Sequence, residues 1–503
     1  MEDSLVNNRR IAKNTILLYF RMFVTLAVTL YTSRVILKVL GVEDFGTYNI
    51  IGGVVVLFVF INTGLRNASQ RFISYEIGIR GKQDKVFSIS IECMVLMALI
   101  FVLLSESIGL WFVHNKLNIP IERIYAAEWV YQFSIATFVV NMLQSPYYAA
   151  IISHEKMSFY AYISIFDVVL KLLVVYLLLL GNFDKLILYS FLLFIVAVIH
   201  LLILLVYTKK KLLLYFSLSL DKTYFKKILG FSGWTMLNGG SVAVAYQGGN
   251  ILLNMFFGVA ANAAFGIANQ VSNAVYGFVG NFQGAFQPQI VKLYAAGLKD
   301  ELTRLINRSS IISYYLLFII FVPLTININY ILSLWLGVVP DYAANFCILL
   351  LLYFLLDALQ APLWMLIGAT GEMKVYTIWS ALITFLNLPL AWLLLNNGAS
   401  IYSVFLIRVV LNFICCIIRP FYVKHLVKDF SVIDYVREVV FRVMFVTAIC
   451  AIALFVLIKV VGYDNLTNIL LCIIICFTVS YLFGFNKEDK KVLNGFVKEK
   501  LHI

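Results

Sequence analysis

Four arginines lie within or at the end of long apolar stretches. Arg21 and Arg34 are in the run LLYFRMFVTLAVTLYTSRVIL (17–37), Arg66 ends the next stretch, and Arg408 lies in a later one. A guanidinium near a bilayer centre costs on the order of several kcal/mol. It stays charged at any relevant pH and binds phosphate through two parallel hydrogen bonds. These positions, Arg408 included, predict a site for an anionic substrate, and phosphate is the group that guanidinium fits best. Arg21 and Arg34 lie on different faces of the predicted helix. The alternative is that their side chains extend to the lipid headgroups at the membrane surface.

A second set of candidates consists of neutral amides. Asn269, Asn273 and Asn281 recur with several glycines on one face, about 120° wide at 100° per residue, between positions 262 and 287. This face indicates either the wall of a water-filled cavity or a helix-packing seam. Amides donate and accept hydrogen bonds together, which suits sugar hydroxyls. With Gln247 and Asn250 in the preceding span, these residues are predicted to contact a glycan.

Acidic residues within the apolar stretches offer a third kind of chemistry. Asp167 and Lys171 stand four residues apart, and Asp357 lies alone in a later stretch. A desolvated carboxyl group could titrate and couple transport to an ion, although Asp167 and Lys171 could equally form a structural pair. His200 lies near the end of a span and is predicted to be structural. Nucleotide loops, metal constellations and catalytic triads are missing from the sequence, so we expect neither an enzyme nor a cofactor.

The composition defines the protein class. Of 503 residues, 62% are hydrophobic and 13% are charged, and the mean hydropathy is +0.92. This predicts an all-α, polytopic membrane protein. The predicted spans are 15–39, 46–65, 86–113, 124–151, 159–180, 186–207, 228–257, 263–287, 309–336, 343–367, 375–395, 400–422, 439–460 and 466–485. The sequence therefore predicts about 14 transmembrane helices.

The basic residues set the predicted topology. If the N-terminus is cytoplasmic, 30 of the 39 lysines and arginines fall on the cytoplasmic side. This asymmetry predicts that both termini are cytoplasmic. The net charge of +13 is then explained by topology and by contact with anionic membrane lipids. Nucleic acid is not an expected partner.

An internal repeat divides the chain. The motifs at 145–160 and 361–376 carry Pro, Met and Tyr at matching positions with an offset of 216. Two short outer turns, at 40–49 and 257–266, match in the same way. The repeat predicts two lobes of six helices with parallel topology. Duplicated halves are typical of alternating-access transporters, whose site lies between the lobes.

The predicted domain boundaries follow from this repeat. They are an N-terminal lobe with helices 1–6, a C-terminal lobe with helices 7–12, and a final segment with two extra helices and a cytoplasmic tail. The corresponding ranges are 1–212, 213–426 and 427–503.

Three early segments resemble a known family. RIAKNTILLYFRM (10–22), YTSRVILKVLGVEDFGTYNIIGGVV (31–55) and NASQRFISYEIG (67–78) are similar to the opening of bacterial polysaccharide flippases of the O-antigen type. These belong to the multidrug/oligosaccharidyl-lipid/polysaccharide exporter superfamily. The resemblance implies movement of undecaprenyl-diphosphate-linked oligosaccharide from the inner to the outer leaflet of the bacterial inner membrane. It also implies polysaccharide assembly proteins as partners.

The resemblance extends to the arginines only in part. Related murein-precursor flippases use cavity arginines for the diphosphate, and Arg21, Arg34 and Arg66 are positions of the matching kind. The eighth span here has no arginine, so a four-arginine arrangement does not carry over whole.

The alternative function is that of a cation-coupled small-molecule or multidrug exporter of the same superfamily. A membrane glycosyltransferase would require a large outer loop, and the predicted outer loops are short.

Overall fold

The chain folds almost entirely into α-helices. The computed structural model describes residues 2–78, 81–154, 156–179, 183–219, 221–370, 372–461, 465–485 and 490. Within these ranges the structure contains no β-strand. The all-α class predicted from the composition is confirmed.

Seventeen α-helices follow one another in the described residues. The first eight are α1 (Glu2–Val56), α2 (Val59–Gly78), α3 (Gln83–Leu104), α4 (Leu110–Lys116), α5 (Ile124–Ser153), α6 (Met157–Leu177), α7 (Lys185–Tyr207) and α8 (Lys222–Phe257). The others are α9 (Val259–Ala295), α10 (Lys299–Ile326), α11 (Ile328–Leu336), α12 (Ala343–Thr370), α13 (Met373–Asn396), α14 (Ser403–Leu426), α15 (Val432–Tyr435), α16 (Phe441–Val461) and α17 (Leu466–Gly484).

Most of these helices are long enough to cross a bilayer, which takes about 20 residues. In the described ranges, eleven helical stretches are both long and apolar enough to span a membrane. The stretch Arg21–Val56, interrupted at Gly41, covers most of the first predicted span and the beginning of the second, 46–65, which ends in α2. The polar helices α8 and α9 are long but are not among the eleven. The difference from fourteen therefore arises at α1–α2, α8 and α9, and the chain is a multi-pass membrane protein.

Two glycines break the helical path in the same way. Gly41 has φ 79° and ψ 173° inside α1, and Gly258 has φ 78° and ψ −172° between α8 and α9. This left-handed, extended conformation is accessible to glycine and strained for residues with a Cβ. The two positions belong to the matching outer turns of the predicted repeat. The repeat is thus visible in backbone conformation as well as in sequence.

Helix boundaries repeat with the same spacing. α6 begins at Met157 and α13 begins at Met373, 216 residues later. Both preceding helices, α5 and α12, carry an internal proline, at Pro146 and Pro362. A proline inside a helix removes one backbone hydrogen bond, so the two halves share an irregularity as well as a boundary.

The structure divides into two compact units by contact, Met1–Gly266 and Ile267–Ile503, and each is described by itself. In unit 1, α5 packs on α7 and α2, and α2 packs on α8. Its core contains the buried side chains of Leu65, Met94 and Tyr131. The predicted lobes 1–212 and 213–426 have different boundaries and stay a prediction.

Unit 2 is built on α10 and α12. α10 packs against α12 and α17, α12 packs against α14, and α16 packs against α17. Tyr315, Leu351 and Cys476 are among its buried core residues. The last two long helices therefore belong to this unit and complete its core.

One ion-pair cluster links three elements at one end of unit 1. Arg123, just before α5, donates to Asp44 of α1 through Nε and Nη2, at 2.7 and 2.6 Å. Its Nη1 donates to Asp184 at 2.7 Å. Asp184 also caps α7 by accepting from the backbone N–H groups of Leu186 and Ile187. We call Asp44, Arg123 and Asp184 the Arg123 clasp.

Candidate functional site

A chain of polar contacts crosses three helices of unit 1. Asp167 of α6 accepts a hydrogen bond from Lys171 Nζ at 2.7 Å. Its other oxygen lies 3.3 Å from Nδ1 of His200 on α7. The second ring nitrogen, Nε2, lies 2.5 Å from Tyr148 Oη on α5. His200 is only 6% exposed, so the contacts around it are buried, whereas Lys171 at the end of this chain of contacts is exposed.

Two of the predicted arginines adjoin this chain. Arg21 of α1 places its guanidinium carbon 4.9 Å from the centre of the Tyr160 ring. Tyr160 contacts Tyr148 edge-on, with ring centroids 5.7 Å apart. Arg21 and Arg66 both lie within electrostatic range of the Tyr148 hydroxyl. The resulting group is called the Tyr148 cluster and consists of Arg21, Arg66, Tyr148, Tyr160, Asp167, Lys171 and His200.

The Tyr148 cluster is unbalanced in charge. It contains three permanent or near-permanent cations, Arg21, Arg66 and Lys171, against the single carboxylate of Asp167. That carboxylate is engaged by Lys171, and in the described part of the chain neither arginine forms an ion pair with a carboxylate. An excess of positive charge is stabilised when an anion binds. The cluster is therefore a candidate anion site.

The other two predicted arginines lie elsewhere. Arg34 is exposed and lies 13 residues beyond Arg21, about 20 Å further along the helix. Arg408 belongs to unit 2, where its guanidinium carbon lies 4.2 Å from the centre of the Tyr353 ring. Within unit 1, Arg21 and Arg66 thus both lie near Tyr148, and Arg34 lies further along α1.

The first part of the amide face is a buried network. Asn262 of α9 donates to Asn250 Oδ1 at 2.7 Å and accepts from Asn254 Nδ2 at 2.9 Å. Asn250 and Asn262 are 2% and 0% exposed. Gln247 is also buried, and its Oε1 has no hydrogen-bond partner among the described residues. In this structure Gln247 and Asn250 thus fit the packing alternative, and their contact with a glycan stays a prediction.

The later part of the face differs. Asn273 is exposed and donates to Asn269 Oδ1 at 2.8 Å, one turn away. Asn269 is half-buried. The side chain of Asn281 lies outside the described residues. A ligand could therefore contact the side chains of Asn269 and Asn273 without disrupting buried hydrogen bonds.

Unit 2 has a buried polar cluster of its own. Asp357 accepts a hydrogen bond from Tyr276 at 2.7 Å. Arg419 of α14 is 6% exposed, and its Nε and Nη1 have no hydrogen-bond partner among the described residues. Its guanidinium carbon lies 5.7 Å from the Tyr376 ring centre. Tyr160 and Tyr376 are equivalent in the repeat, so each unit stacks an arginine near the same tyrosine.

Sequence reasoning identified neither the contacts of His200 nor the burial of Arg419. Arg419 lies near the end of the predicted span 400–422, and a helical pattern could have indicated its direction. Arg408 and Arg419 are 11 residues apart, which returns to nearly the same face of a helix. His200 offered no comparable signal, because both of its partners come from other helices.

These observations define an all-α, multi-pass membrane protein with a positively charged polar cluster in unit 1. No protein-family model matches the sequence, and no curated protein matches it. The structure is similar to "Lipid II flippase MurJ, inward closed conformation", with TM-score 0.73 and 13% identity over 94% of this chain and 98% of that one. It is also similar to an inward-facing multidrug resistance MATE family transporter of the MOP superfamily. There the TM-score is 0.70 and the identity 14%, over 82% of this chain and all of that one.

A third structure extends the comparison. It is a MOP superfamily transporter from Pyrococcus furiosus Vc1 with a binding pocket of reverse polarity, at TM-score 0.61 and 13% identity, over 82% of this chain and 95% of that one. The chain therefore has the MOP fold, the fold expected from the resemblance of its first segments to exporters of that superfamily.

Proposed function

We propose that this protein is an alternating-access flippase. Its substrate is an undecaprenyl-diphosphate-linked oligosaccharide, which it moves from the inner to the outer leaflet for surface polysaccharide assembly. The observation that carries the proposal is the charge of the Tyr148 cluster, where Arg21 and Arg66 adjoin one carboxylate that Lys171 already engages. The similarity in fold to a lipid II flippase supports the same class of substrate.

A diphosphate has the chemistry that this cluster requires. A disubstituted diphosphate carries about two negative charges, and guanidinium groups bind such oxygens through two parallel hydrogen bonds. Poorly solvated walls strengthen the attraction relative to bulk water. Arg21 and Arg66 are the proposed diphosphate ligands, with Arg34 and Arg408 as further predicted contacts outside the cluster.

The glycan would contact neutral amides. Asn269 and Asn273 are the strongest candidates, since their side chains are accessible, whereas Gln247 and Asn250 are buried in this structure. Asn281 remains a candidate by its position on the same helix face. Amides match the mixed donors and acceptors of sugar hydroxyls without requiring a charged substrate.

Location and partners follow from the same proposal. The protein would lie in the bacterial inner membrane with both termini cytoplasmic, as the distribution of basic residues predicts. Membrane lipids and polysaccharide assembly proteins are its proposed partners. Asp167, Lys171 and Asp357 stay candidates for ion coupling.

A cation-coupled small-molecule or multidrug exporter is the second candidate. It is favoured by the similar fold of the MATE family transporter, at TM-score 0.70, and by Asp167 and Asp357, which could exchange a cation. The three cations of the Tyr148 cluster count against it, because they would repel a cationic drug.

Substrate accumulation in a deletion strain tests the proposal. We expect a lipid-linked oligosaccharide to accumulate in the inner leaflet when the gene is deleted, and to fall to the parental level when the wild-type gene returns. Mass spectrometry of the lipid fraction would identify the glycan. Normal lipid-linked glycan together with increased sensitivity to cationic dyes would instead favour the exporter.

A further inference from the structure

Both ring nitrogens of His200 contact polar groups on other helices. The residue is 6% exposed, with Nε2 2.5 Å from Tyr148 Oη and Nδ1 3.3 Å from Asp167 Oδ1. One neutral tautomer satisfies both contacts, since Nδ1–H can donate to Asp167 while Nε2 accepts from the Tyr148 hydroxyl. The contact with Tyr148 also allows a proton on Nε2, because the tyrosine hydroxyl can accept a hydrogen bond instead of donating one.

The ionisable groups near the Tyr148–His200 contact come from several helices. They are Arg21 from α1, Arg66 from α2, and Tyr160, Asp167 and Lys171 from α6. The turn that follows α7 carries three exposed lysines, Lys209, Lys210 and Lys211, which lie at least 9 residues beyond His200. Among the described residues, the Tyr148 cluster thus holds three cations against one carboxylate, Asp167.

A bound diphosphate would neutralise this excess. It adds about two negative charges at the two arginines, and nearby negative charge favours the protonated form of an imidazole. On the basis of the proposed function, we propose that His200 takes up a proton when a diphosphate binds. By linkage, diphosphate then binds more tightly as the pH falls.

Titration calorimetry on the purified full-length protein tests this directly. The probe is a water-soluble, short-chain polyprenyl diphosphoryl sugar, whose two phosphate charges stay constant from pH 6 to 8 because both phosphates are substituted. We expect the affinity to fall as the pH rises, by up to about tenfold per pH unit. Titrations in two buffers with different ionisation enthalpies should show uptake of up to one proton per ligand.

Variants assign the proton to His200. His200→Gln keeps a polar side chain but cannot titrate, so binding should lose its pH dependence and its proton uptake. Asp167→Asn should shift the pH dependence to lower pH, because the carboxylate stabilises the imidazolium. Gln144→Met is the matched control: Gln144 also links α5 to α7, donating to the Ala197 carbonyl at 2.9 Å, but it does not titrate. Probe binding by Gln144→Met should have the same pH dependence as binding by the wild type.

Each outcome has a defined meaning. Binding of the probe by the wild type with equal affinity across this range overturns the role of His200 and leaves the proposed function standing. Retention of the pH dependence in His200→Gln has the same consequence. If the probe does not bind at any pH, both the diphosphate substrate and this inference fall. If His200→Gln does not fold, Asp167→Asn decides: a shift of the pH dependence to lower pH supports His200, and an unchanged pH dependence overturns its role.

Discussion

Arg21 is the residue on which the diphosphate assignment depends most. It lies in the first helix and stacks on Tyr160. Arg21→Ala should reduce complementation of a flippase-deficient strain by at least tenfold at normal protein abundance, because the charge is lost. Arg21→Lys should retain part of the function, since the charge remains without the planar fork. Lys38→Ala, an exposed cation on the same helix, serves as the control and should be silent.

Extension of Arg21 to lipid headgroups predicts a different pattern. A lysine would then replace it fully, and alanine near an interface would have little effect. Full complementation by Arg21→Ala, with its abundance checked by immunoblot, would remove this residue from the proposed site.

The single residues also show where sequence reasoning ends. Arg21 and Arg66 were identified because a charge in an apolar stretch is conspicuous in the sequence itself. His200 was not, because its partners Tyr148 and Asp167 lie 52 and 33 positions away. The burial of Arg419 is likewise a property of helix packing. The chemistry of one side chain could be predicted, but its neighbours on other helices could not.

At the scale of helices, the amide face of α8 and α9 divides into two parts. Asn262 is buried and bonded to Asn250 and Asn254, so Asn262→Ala should destabilise the protein by about 1–3 kcal/mol through unpaired buried amides. Asn273→Ala removes an exposed amide and should leave the melting temperature unchanged while weakening transport. Thermal unfolding in detergent, followed by tryptophan fluorescence, measures the first effect. Equal destabilisation by the two variants would contradict this division.

The Arg123 clasp gives a prediction about pH. Burial opposes ionisation of Asp184, but hydrogen bonds from the Ile187 N–H and from Arg123 outweigh it and hold the pKa of Asp184 below its usual value. A lowered pKa in the folded state stabilises the protein above the unfolded-state value, about 3.9. This contribution is lost as the pH falls through the lowered pKa.

Asp184→Asn should therefore destabilise the protein at pH 7, by on the order of 1 kcal/mol for this partly exposed pair. The difference from the wild type should shrink as the pH falls below about 4. Melting temperatures at several pH values would show this, with the exposed neighbour Glu122→Gln as control. A constant difference at every pH would refute the role of ionised Asp184.

The helices themselves were largely predictable. Most of them follow from the length of the apolar stretches. The repeat indicates the paired interruptions of the helices at Gly41 and Gly258, since each interruption needs a residue without a Cβ. The packing of the amides was not predictable, because one helix face with Asn and Gly fits a wet cavity and a tight seam equally well. At the N-terminal end of α9, the hydrogen bonds of Asn262 distinguish the tight seam from the wet cavity.

At the scale of the whole molecule, a repeated helical architecture with a cationic cluster in unit 1 suits the movement of an anionic lipid across a membrane. Alternating access requires that substrate binding be coupled to a change between two global states. The Tyr148 cluster supplies side chains for this coupling. Its net positive charge stabilises a bound diphosphate, and the global state in which the cluster binds the diphosphate is therefore favoured.

The most direct measurement is transport by the purified protein in liposomes. A fluorescent polyprenyl-diphosphate-linked oligosaccharide is placed in both leaflets, and a membrane-impermeant glycosidase reports how much becomes accessible from outside. Wild-type protein should expose the inner-leaflet fraction much faster than it becomes exposed in protein-free liposomes, and Arg21→Ala, inserted at equal density, should not. Exposure by the wild type no faster than in protein-free liposomes, or equal exposure by Arg21→Ala, would contradict the proposed flippase activity.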